Sequence, residues 1–264
     1  MTDVRGIDTS VPHSARLWNY LLGGKDNFEV DRAAARQALA LLPNLAAEAR
    51  ADRGFLIRSV RFLVRDAGIR QFLDIGTGLP TASNTHEVAQ VAAPECRVVY
   101  VDNDPLILAH ARALLVGSPE GATAYIHGDL RDPDTVLREA TRTLDFTRPI
   151  GLMLIGVLNF LVDDTEAYRV VQRLVDALPS GSYLAVAHPN ADVQSETVAE
   201  SMRVWNASGA APITARTGTQ IARFFDGLEL IEPGVVSSSL WRPDPADVGT
   251  AVEVVEYCGL ARKP

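Results

Sequence analysis

The sequence of 264 residues predicts an α/β fold in which a mostly parallel β-sheet carries helices on both faces. Five short apolar runs between residues 71 and 187 alternate with amphipathic segments of helical length. Strands that are buried on both faces have continuous apolar runs, and alternating β and α elements form parallel sheets. Two further apolar runs near the C-terminus lack an obvious crossover helix between them. They predict an antiparallel hairpin at the edge of a seven-stranded sheet, with the C-terminal strand antiparallel to the others.

Each predicted element is a short segment bounded by polar, Gly or Pro residues. The strand candidates are residues 72–75, 97–101, 124–127, 151–155, 183–187, 228–231 and 252–261. The segments between them have helical spacing, near residues 80–92, 105–116, 133–144, 164–178, 193–206 and 219–227. We expect Thr217 or Thr219 to cap the last of these helices.

The chain before the first strand is predicted to be helical. We interpret residues 1–70 as an N-terminal helical extension and residues 71–264 as one globular core. Thr9 or Ser10 can cap the first helix, and the glycine pair at 23–24 can end it. Further helices are expected from about residue 32 to 42 and from about residue 52 to 68.

Composition disfavours several classes of protein. The formal net charge is -8 and the sequence pI is about 5.2, so the chain is expected to repel phosphate backbones, and a nucleic-acid partner is disfavoured. Two cysteines without metal-ligand spacing predict neither a disulfide framework nor a metal site. The N-terminus has no signal-peptide core, and the longest apolar stretch is short and interrupted by glycine. We therefore expect a soluble cytoplasmic protein with no membrane role.

The loop after the first strand contains the first candidate ligand site. Asp74, Gly76, Thr77 and Gly78 form the pattern Asp-x-Gly-x-Gly. Glycine lets the backbone turn sharply and approach a ligand closely, and amides at the start of the next helix favour an anionic group. Ligands of open parallel sheets bind beyond the carboxyl ends of the strands. By itself the pattern is equally compatible with a tight turn that binds nothing.

Acidic residues also follow the second and third strands. Asp102 and Asn103 end the second strand, where an acid can accept hydrogen bonds from both hydroxyls of a ribose. Asn103 or Asp104 can alternatively cap the next helix. Asp129 ends the third strand, where its carboxylate can accept a hydrogen bond from an adenine amino group while the Leu130 amide meets a ring nitrogen. The alternative is that Asp129 caps a turn or pairs with a neighbouring arginine.

Taken together, the three strand ends resemble those of class I S-adenosylmethionine-dependent methyltransferases. More specific segments resemble an actinobacterial family of S-adenosyl methyltransferases, formerly a domain of unknown function: DTSVPHSARLWNYLLGGKDNFEVDR, FLDIGTGLPT, VVYVDNDP and GLELIEPGVV. The likeness covers nearly the whole chain. It implies a Rossmann-like class I fold and S-adenosylmethionine as the cofactor.

The resemblance implies roles for residues outside the three strand ends. In such folds the chain after strand four faces the methionine end of the cofactor, so Asn159 is a candidate contact, or else a helix cap. Gly24 and Lys25 follow the first helix, and Lys25 is a candidate for the methionine carboxylate or a C-capping cation. His188 ends strand five and is a candidate general base, although a histidine hydrogen-bonded within a turn is commoner.

The predicted function is methyl transfer from S-adenosylmethionine to a small molecule. Such a transfer requires alignment of donor and nucleophile and exclusion of water, with a base only for a protonated acceptor. Only Asn159 and His188 are weak catalytic candidates. A binding module without catalysis is the main alternative. An NAD-dependent oxidoreductase is disfavoured because Thr81 stands where G-x-G-x-x-G needs glycine, and Pro80 departs from the third glycine of many methyltransferases.

Overall fold

The N-terminal part of the chain is helical, as predicted. The computed structural model describes residues 8–80, 83–104, 107 and 117–264. Its first helices are α1 (Ser14–Leu21), α2 (Glu29–Leu41) and α3 (Leu45–Arg65). The predicted helix near residues 105–116, apart from Ile107, and the Thr81 position lie outside the described residues.

Eight strands of the described chain form one sheet. The parallel strands are β1 (Gln71–Ile75), β2 (Arg97–Asp102), β3 (Ala122–His127), β4 (Gly151–Ile155) and β5 (Tyr183–Pro189). The others are β6 (Glu229–Leu230), β7 (Val236–Ser237) and β8 (Glu256–Arg262). The order is β3-β2-β1-β4-β5-β8-β6, and β7 also pairs with β8. Because β8 runs antiparallel to β5, the predicted mostly parallel sheet with an antiparallel C-terminal strand is confirmed. The sheet has eight strands and not the expected seven, because β7 is a two-residue strand too short to give an apolar run in the sequence.

Helices cover both faces of this sheet. Among the described residues, the α-helices after β1 are α4 (Thr85–Ala92), α5 (Pro133–Ala140), α6 (Asp164–Asp176), α7 (Ser195–Asn206) and α8 (Gly218–Ala222). Alternate residues of a strand point to opposite faces, so β1 contributes to two cores. Phe72 belongs to the core that contains Leu63 of α3, whereas Leu73 belongs to the core that contains Val136 of α5 and Val170 of α6.

The predicted helix caps are confirmed at one position and wrong at another. The hydroxyl of Thr217 accepts a hydrogen bond from the amide of Gln220 (3.2 Å), as a cap of α8 should. At the first helix, the N-cap residue is His13 and neither Thr9 nor Ser10. The amide of this N-cap residue donates to the carboxylate of Asp31 in α2 (2.9 Å).

Some boundaries also differ from expectation. Helix α3 begins at Leu45 rather than near residue 52, because the intervening LAAEARA is composed mostly of strong helix formers. Helix α4 begins at Thr85 rather than near residue 80. Its N-cap residue is Asn84, whose amide donates to the carboxylate of Glu87 (2.8 Å). The last strand begins at Glu256 rather than at residue 252.

A buried ion pair joins α1 to α2. Nε of Arg16 lies 3.0 Å from Asp31 Oδ2, and both side chains are almost fully buried. Asp31 also accepts hydrogen bonds from the backbone amides of His13 (2.9 Å) and Phe28 (2.8 Å), the residues that precede α1 and α2. Arg16 additionally donates to the carbonyl of Val11 (2.9 Å). One carboxylate therefore positions the start of both helices.

We expect Asp31→Ala to lower the free energy of unfolding by about 3 kcal/mol or more, because it leaves the buried guanidinium of Arg16 without its counter-ion. Urea denaturation measures this change. The control is Glu29→Ala, which removes the exposed carboxylate that pairs with Arg32 and Arg36 and should cost much less. Equal losses for the two variants would contradict a structural role for the buried pair.

Candidate active site

A cleft of about 210 Å³, called here the ligand cleft, lies at the carboxyl ends of the parallel strands. It is lined by eight of the residues that were predicted to bind the cofactor: Asp74, Gly76, Thr77, Gly78, Asp102, Asn103, Asp129 and Leu130. Strand β1 lies between β2 and β4. The chain adds β2 and β3 on one side of β1 and then crosses to add β4 and β5 on the other side. The end of β1 is therefore the switch point of the topology, where open sheets bind ligands. The fold thus brings together the three strand ends.

The loop after β1 depends on its glycines. Gly76 and Gly78 have φ angles of +80° and +67°, in the left-handed region that favours glycine. A Cβ atom on Gly76 would also collide with the side chain of Val157, which follows β4. The Gly76 amide donates to the carbonyl of Val101 (2.9 Å), so the loop is attached to the end of β2.

Asp102 is held by two backbone amides. Its Oδ2 accepts from the Gly78 amide (3.0 Å) and its Oδ1 from the Asp104 amide (3.0 Å). Burial raises the pKa of Asp102, and these hydrogen bonds act in the opposite direction. Because each carboxylate oxygen has two acceptor positions, Asp102 retains capacity for the hydroxyls of a ligand.

Asp129 makes the local contacts that were the alternative to ligand binding. Its Oδ1 accepts from the backbone amide of Arg131 (2.8 Å) and lies 3.5 Å from the Arg131 guanidinium. The side chain is nevertheless 45% exposed and lines the cleft, so Asp129 remains accessible to a ligand despite these local contacts. Arg131 also donates to the carbonyl of Phe160 (2.7 Å), which connects the end of β3 to the turn after β4.

Arg53 of α3 lines the cleft beside Asp74, a position that sequence reasoning missed. Burial lowers the pKa of Arg53, while the charge of Asp74 acts most strongly in the opposite direction. The guanidinium donates to the side chain of Asn84 (3.1 Å). Asp74 accepts the hydroxyl of Thr85 (2.5 Å), and burial raises the pKa of Asp74 to about 6. A guanidinium and a carboxylate that interact electrostatically therefore both line the cleft.

The periodicity of α3 contained a signal for these residues. Asp52 and Arg53 precede Leu56 by one helical turn, so they extend the apolar side of the helix with charges. Neither residue was among the site residues predicted from the sequence. Charged residues that continue an apolar helix face, in a helix next to the strand ends, are candidates for ligand contacts.

His188 does not line the ligand cleft. Its ring is fully buried, and Nδ1–H donates to the Pro189 carbonyl (2.9 Å) while Nε2 accepts from the guanidinium of Arg216 (2.8 Å). Burial lowers its pKa to about 3. Arg216 in turn donates to the carbonyls of Leu158 (3.1 Å) and Leu161 (2.6 Å). This environment fits a neutral histidine that supports the turn after β4 and leaves no ring nitrogen for proton transfer.

Gly24 and Lys25 are also separate from the cleft. Lys25 is exposed to solvent. Gly24 packs directly against the amide of Asn19, whose oxygen accepts from the Asp26 amide (3.0 Å) and from the Asn27 side chain (2.9 Å). Glycine at this position thus provides the space for a polar turn after α1.

A second cavity of about 120 Å³ adjoins the ligand cleft. Its lining is mainly apolar and includes Leu17, Trp18, Leu21, Leu45, Val198 and Trp205. The predicted site residue Asn159 lines this second cavity and not the cleft. Asn159 belongs to a 3-10 turn, Leu158–Phe160, and its side-chain oxygen has no hydrogen-bond partner among the described residues.

Carboxylates lie where the two cavities approach each other. Asp52 lines the ligand cleft, and Glu48 and Glu256 line the second cavity. Burial raises the pKa of Glu48 to about 7. Burial and the charges of Asp52 and Glu48 raise the pKa of Glu256. The three acids come from α3 and β8, and none of them was predicted from the sequence.

The described parts of the chain hold neither a cluster of metal ligands nor a helix suited to span a membrane. Within residues 8–80, 83–104, 107 and 117–264, no cluster of three or more His, Cys, Asp or Glu side chains is arranged to hold a metal ion. None of the helices in these ranges combines the length and the apolar character that crossing a membrane requires.

The sheet order, the antiparallel β8 and the ligand cleft define the class I methyltransferase fold. The structure of human N-acetylserotonin methyltransferase in complex with S-adenosylmethionine has a similar fold. It is 13% identical, and the match covers 94% of this chain and 66% of that chain with a TM-score of 0.51.

The chain belongs to the S-adenosyl methyltransferase family, whose model matches residues 1–264. A DUF574 family protein from Streptomyces avermitilis MA-4680 is 44% identical, with 97% of this chain and 99% of that chain covered and a TM-score of 0.93. A candidate methyltransferase from Thermobifida fusca YX is 43% identical, with 100% and 99% covered and a TM-score of 0.90. None of the curated protein sequences matches the chain. The predicted family, fold and cofactor are confirmed: the protein is an S-adenosylmethionine-dependent methyltransferase.

We expect the stability of the ligand-free protein to depend on the protonation of Glu48. The raised pKa means that the folded state holds a proton that the unfolded chain releases. The stability that comes from keeping Glu48 protonated in the folded state is fully present below pH 4.5 and is lost as the pH rises through about 7. In Glu48→Gln, the free energy of unfolding should fall less steeply across this range, by up to about 1.4 kcal/mol per pH unit.

Urea denaturation at several pH values measures both slopes. Glu232→Gln, at an exposed position, is the matched control and should follow the wild type. Parallel profiles for Glu48→Gln and the wild type would show that Glu48 ionises normally.

Proposed function

We propose that this methyltransferase acts on a small molecule, which binds in the second cavity while S-adenosylmethionine binds in the ligand cleft. One observation carries the proposal: the two cavities share the lining residues Ser14, Trp18, Gly156 and Phe160. A donor in the cleft and an acceptor in the second cavity would therefore meet at these residues. The apolar lining of the second cavity suits a small organic molecule.

The nucleoside end of the cofactor is assigned to the ends of β2 and β3. Asp102, with its remaining acceptor positions, accepts hydrogen bonds from the ribose hydroxyls, and Asn103 lies beside it. Asp129 accepts the adenine amino group, and the Leu130 amide meets a ring nitrogen. The exposure of Asp129 in the cleft and the position of Asp102 at the switch point support these assignments.

The amino-acid end of the cofactor is assigned to the loop after β1 and to α3. The left-handed Gly76 and Gly78, with Thr77 between them, let the backbone approach this part of the ligand. The guanidinium of Arg53 binds the carboxylate, and the carboxylate of Asp74 attracts the ammonium group. The opposite charges of these side chains within one cleft match the zwitterionic methionine moiety.

The protein contributes orientation and exclusion of water. When bound, S-adenosylmethionine supplies a methyl group that its sulfonium activates for displacement. We propose that residues 1–70 cap the site, since α1 contributes Ser14 and Trp18 to both cavities and α3 contributes residues to each. Alignment of two reactants in a closed site accounts for much of the rate enhancement that such a transfer needs.

Calorimetric titration of the purified protein with S-adenosylhomocysteine and with NAD tests the assignment of the cleft. We expect binding of S-adenosylhomocysteine and no measurable binding of NAD, because the loop lacks the third glycine of the dinucleotide pattern. Binding of NAD without binding of S-adenosylhomocysteine would refute the proposed function.

The ribose assignment predicts that Asp102→Ala weakens S-adenosylhomocysteine binding by about 2 kcal/mol or more, since the hydroxyls lose a charged acceptor. Asp226→Ala, exposed and outside the cleft, is the matched control. Because Asp102 also holds the Gly78 amide, the 2′,3′-dideoxy analogue of S-adenosylhomocysteine is titrated with both proteins. The analogue should bind the wild type weakly and lose little more affinity in Asp102→Ala. Additive losses would contradict a direct contact between Asp102 and the ribose.

A further inference from the structure

The carboxylates of Glu48 and Glu256 are buried in the lining of the second cavity without a counter-ion. Each residue is only 5% exposed. Across the described parts of the chain, neither side chain makes a hydrogen bond or an ion pair. The charges of Asp52 and Glu48 disfavour the ionisation of Glu256. A buried carboxylate without a partner is costly, so an arrangement of this kind is unfavourable unless a ligand compensates it.

Asp52 extends this cluster to the junction of the two cavities. A Cβ atom on Gly156 would lie 3.7 Å from Asp52 Oδ2, and Gly156 lines both the ligand cleft and the second cavity. The other oxygen, Oδ1, is buried and has no hydrogen-bond partner in the described structure. Glu48 and Asp52 are one turn apart in α3, so they are on the same side of the helix.

A second observation, independent of the acids, also indicates a polar ligand in the second cavity. Asn159 is 9% exposed, and its buried Oδ1 has no hydrogen-bond partner among the described residues. It comes from the turn after β4, whereas the carboxylates come from α3 and β8. An amide oxygen accepts hydrogen bonds, so a ligand that donates one would satisfy this atom.

The remaining lining restricts the rest of the ligand. Leu17, Trp18, Leu21 and Trp205 provide apolar and aromatic surface on the helical side of the cavity. Aromatic side chains pack against apolar groups and also attract cations through their ring faces. The ligand should therefore combine an apolar body with a head that donates hydrogen bonds and carries positive charge.

We propose that the methyl acceptor is a basic nitrogen compound, an amine with an apolar body, whose cationic head is recognised by Glu48, Glu256 and Asn159. This substrate class rests on the proposed function of the two cavities. Asp52, at the junction, takes the proton. The ammonium gives one N–H proton to its carboxylate, the nitrogen lone pair forms the bond to the methyl carbon, and the carbon–sulfur bond breaks with its electron pair left on sulfur.

The test uses the full-length protein saturated with S-adenosylhomocysteine. Benzylamine, phenethylamine and tryptamine are titrated by calorimetry beside their neutral counterparts benzyl alcohol, 2-phenylethanol and tryptophol. We expect at least one amine to bind about tenfold or more tightly than its alcohol, which corresponds to a charged hydrogen bond. Alcohols that bind as tightly as the amines, or the absence of binding by every amine, would overturn the proposal.

The double variant Glu48→Gln/Glu256→Gln keeps the shape of the side chains and removes their charge. Its preference for the amine over the alcohol should fall about tenfold, while its affinity for S-adenosylhomocysteine stays that of the wild type. Glu232→Gln is the control, and Asn159→Leu is a second variant that should also weaken amine binding. An unchanged preference in both test variants would overturn the assignment of these residues. Failure of the wild type to bind S-adenosylhomocysteine would instead refute the proposed function.

Discussion

The ligand cleft depends on the hydrogen bond between the Gly78 amide and the Asp102 carboxylate (3.0 Å). It connects the loop after β1 to the end of β2, so the turn and the acid at the switch point have one fixed arrangement. The left-handed conformation of Gly76 and Gly78 makes this approach possible without strain. Because parallel strands end at the same edge of the sheet, the end of β3 then completes the cleft from the other side of β2.

The walls of the site are supported by two buried arginines outside it. Arg16 pairs with Asp31 and fixes the start of α1, the helix that contributes to both cavities. Arg216 bonds to His188 and to the carbonyls of the turn after β4, from which Asn159 reaches the second cavity. A buried guanidinium with several acceptors holds backbone segments in place more rigidly than apolar contacts do. Both α1 and the turn after β4 are thus held in position by arginines that do not themselves line the ligand cleft.

The acids between the cavities, Asp52, Glu48 and Glu256, lower the stability of the ligand-free protein. Burial raises the pKa of Glu48 and of Glu256 because the charged carboxylates lose solvation without gaining a cation. A core of the same volume built from apolar residues would be more stable. Functional sites commonly retain such unfavourable groups because ligand binding compensates them.

The mostly parallel sheet, its antiparallel last strand and the three strand ends of the ligand cleft can be predicted from the sequence alone. These features are encoded locally: apolar runs define strands, and residues such as Gly76, Asp102 and Asp129 follow their strands directly in the chain. The other side chains of the site are known only from the packing of the folded chain. It placed His188 against Arg216 and assembled the acids of α3 with Glu256, because contacts between residues far apart in the chain depend on how the elements pack and not on spacing within one element.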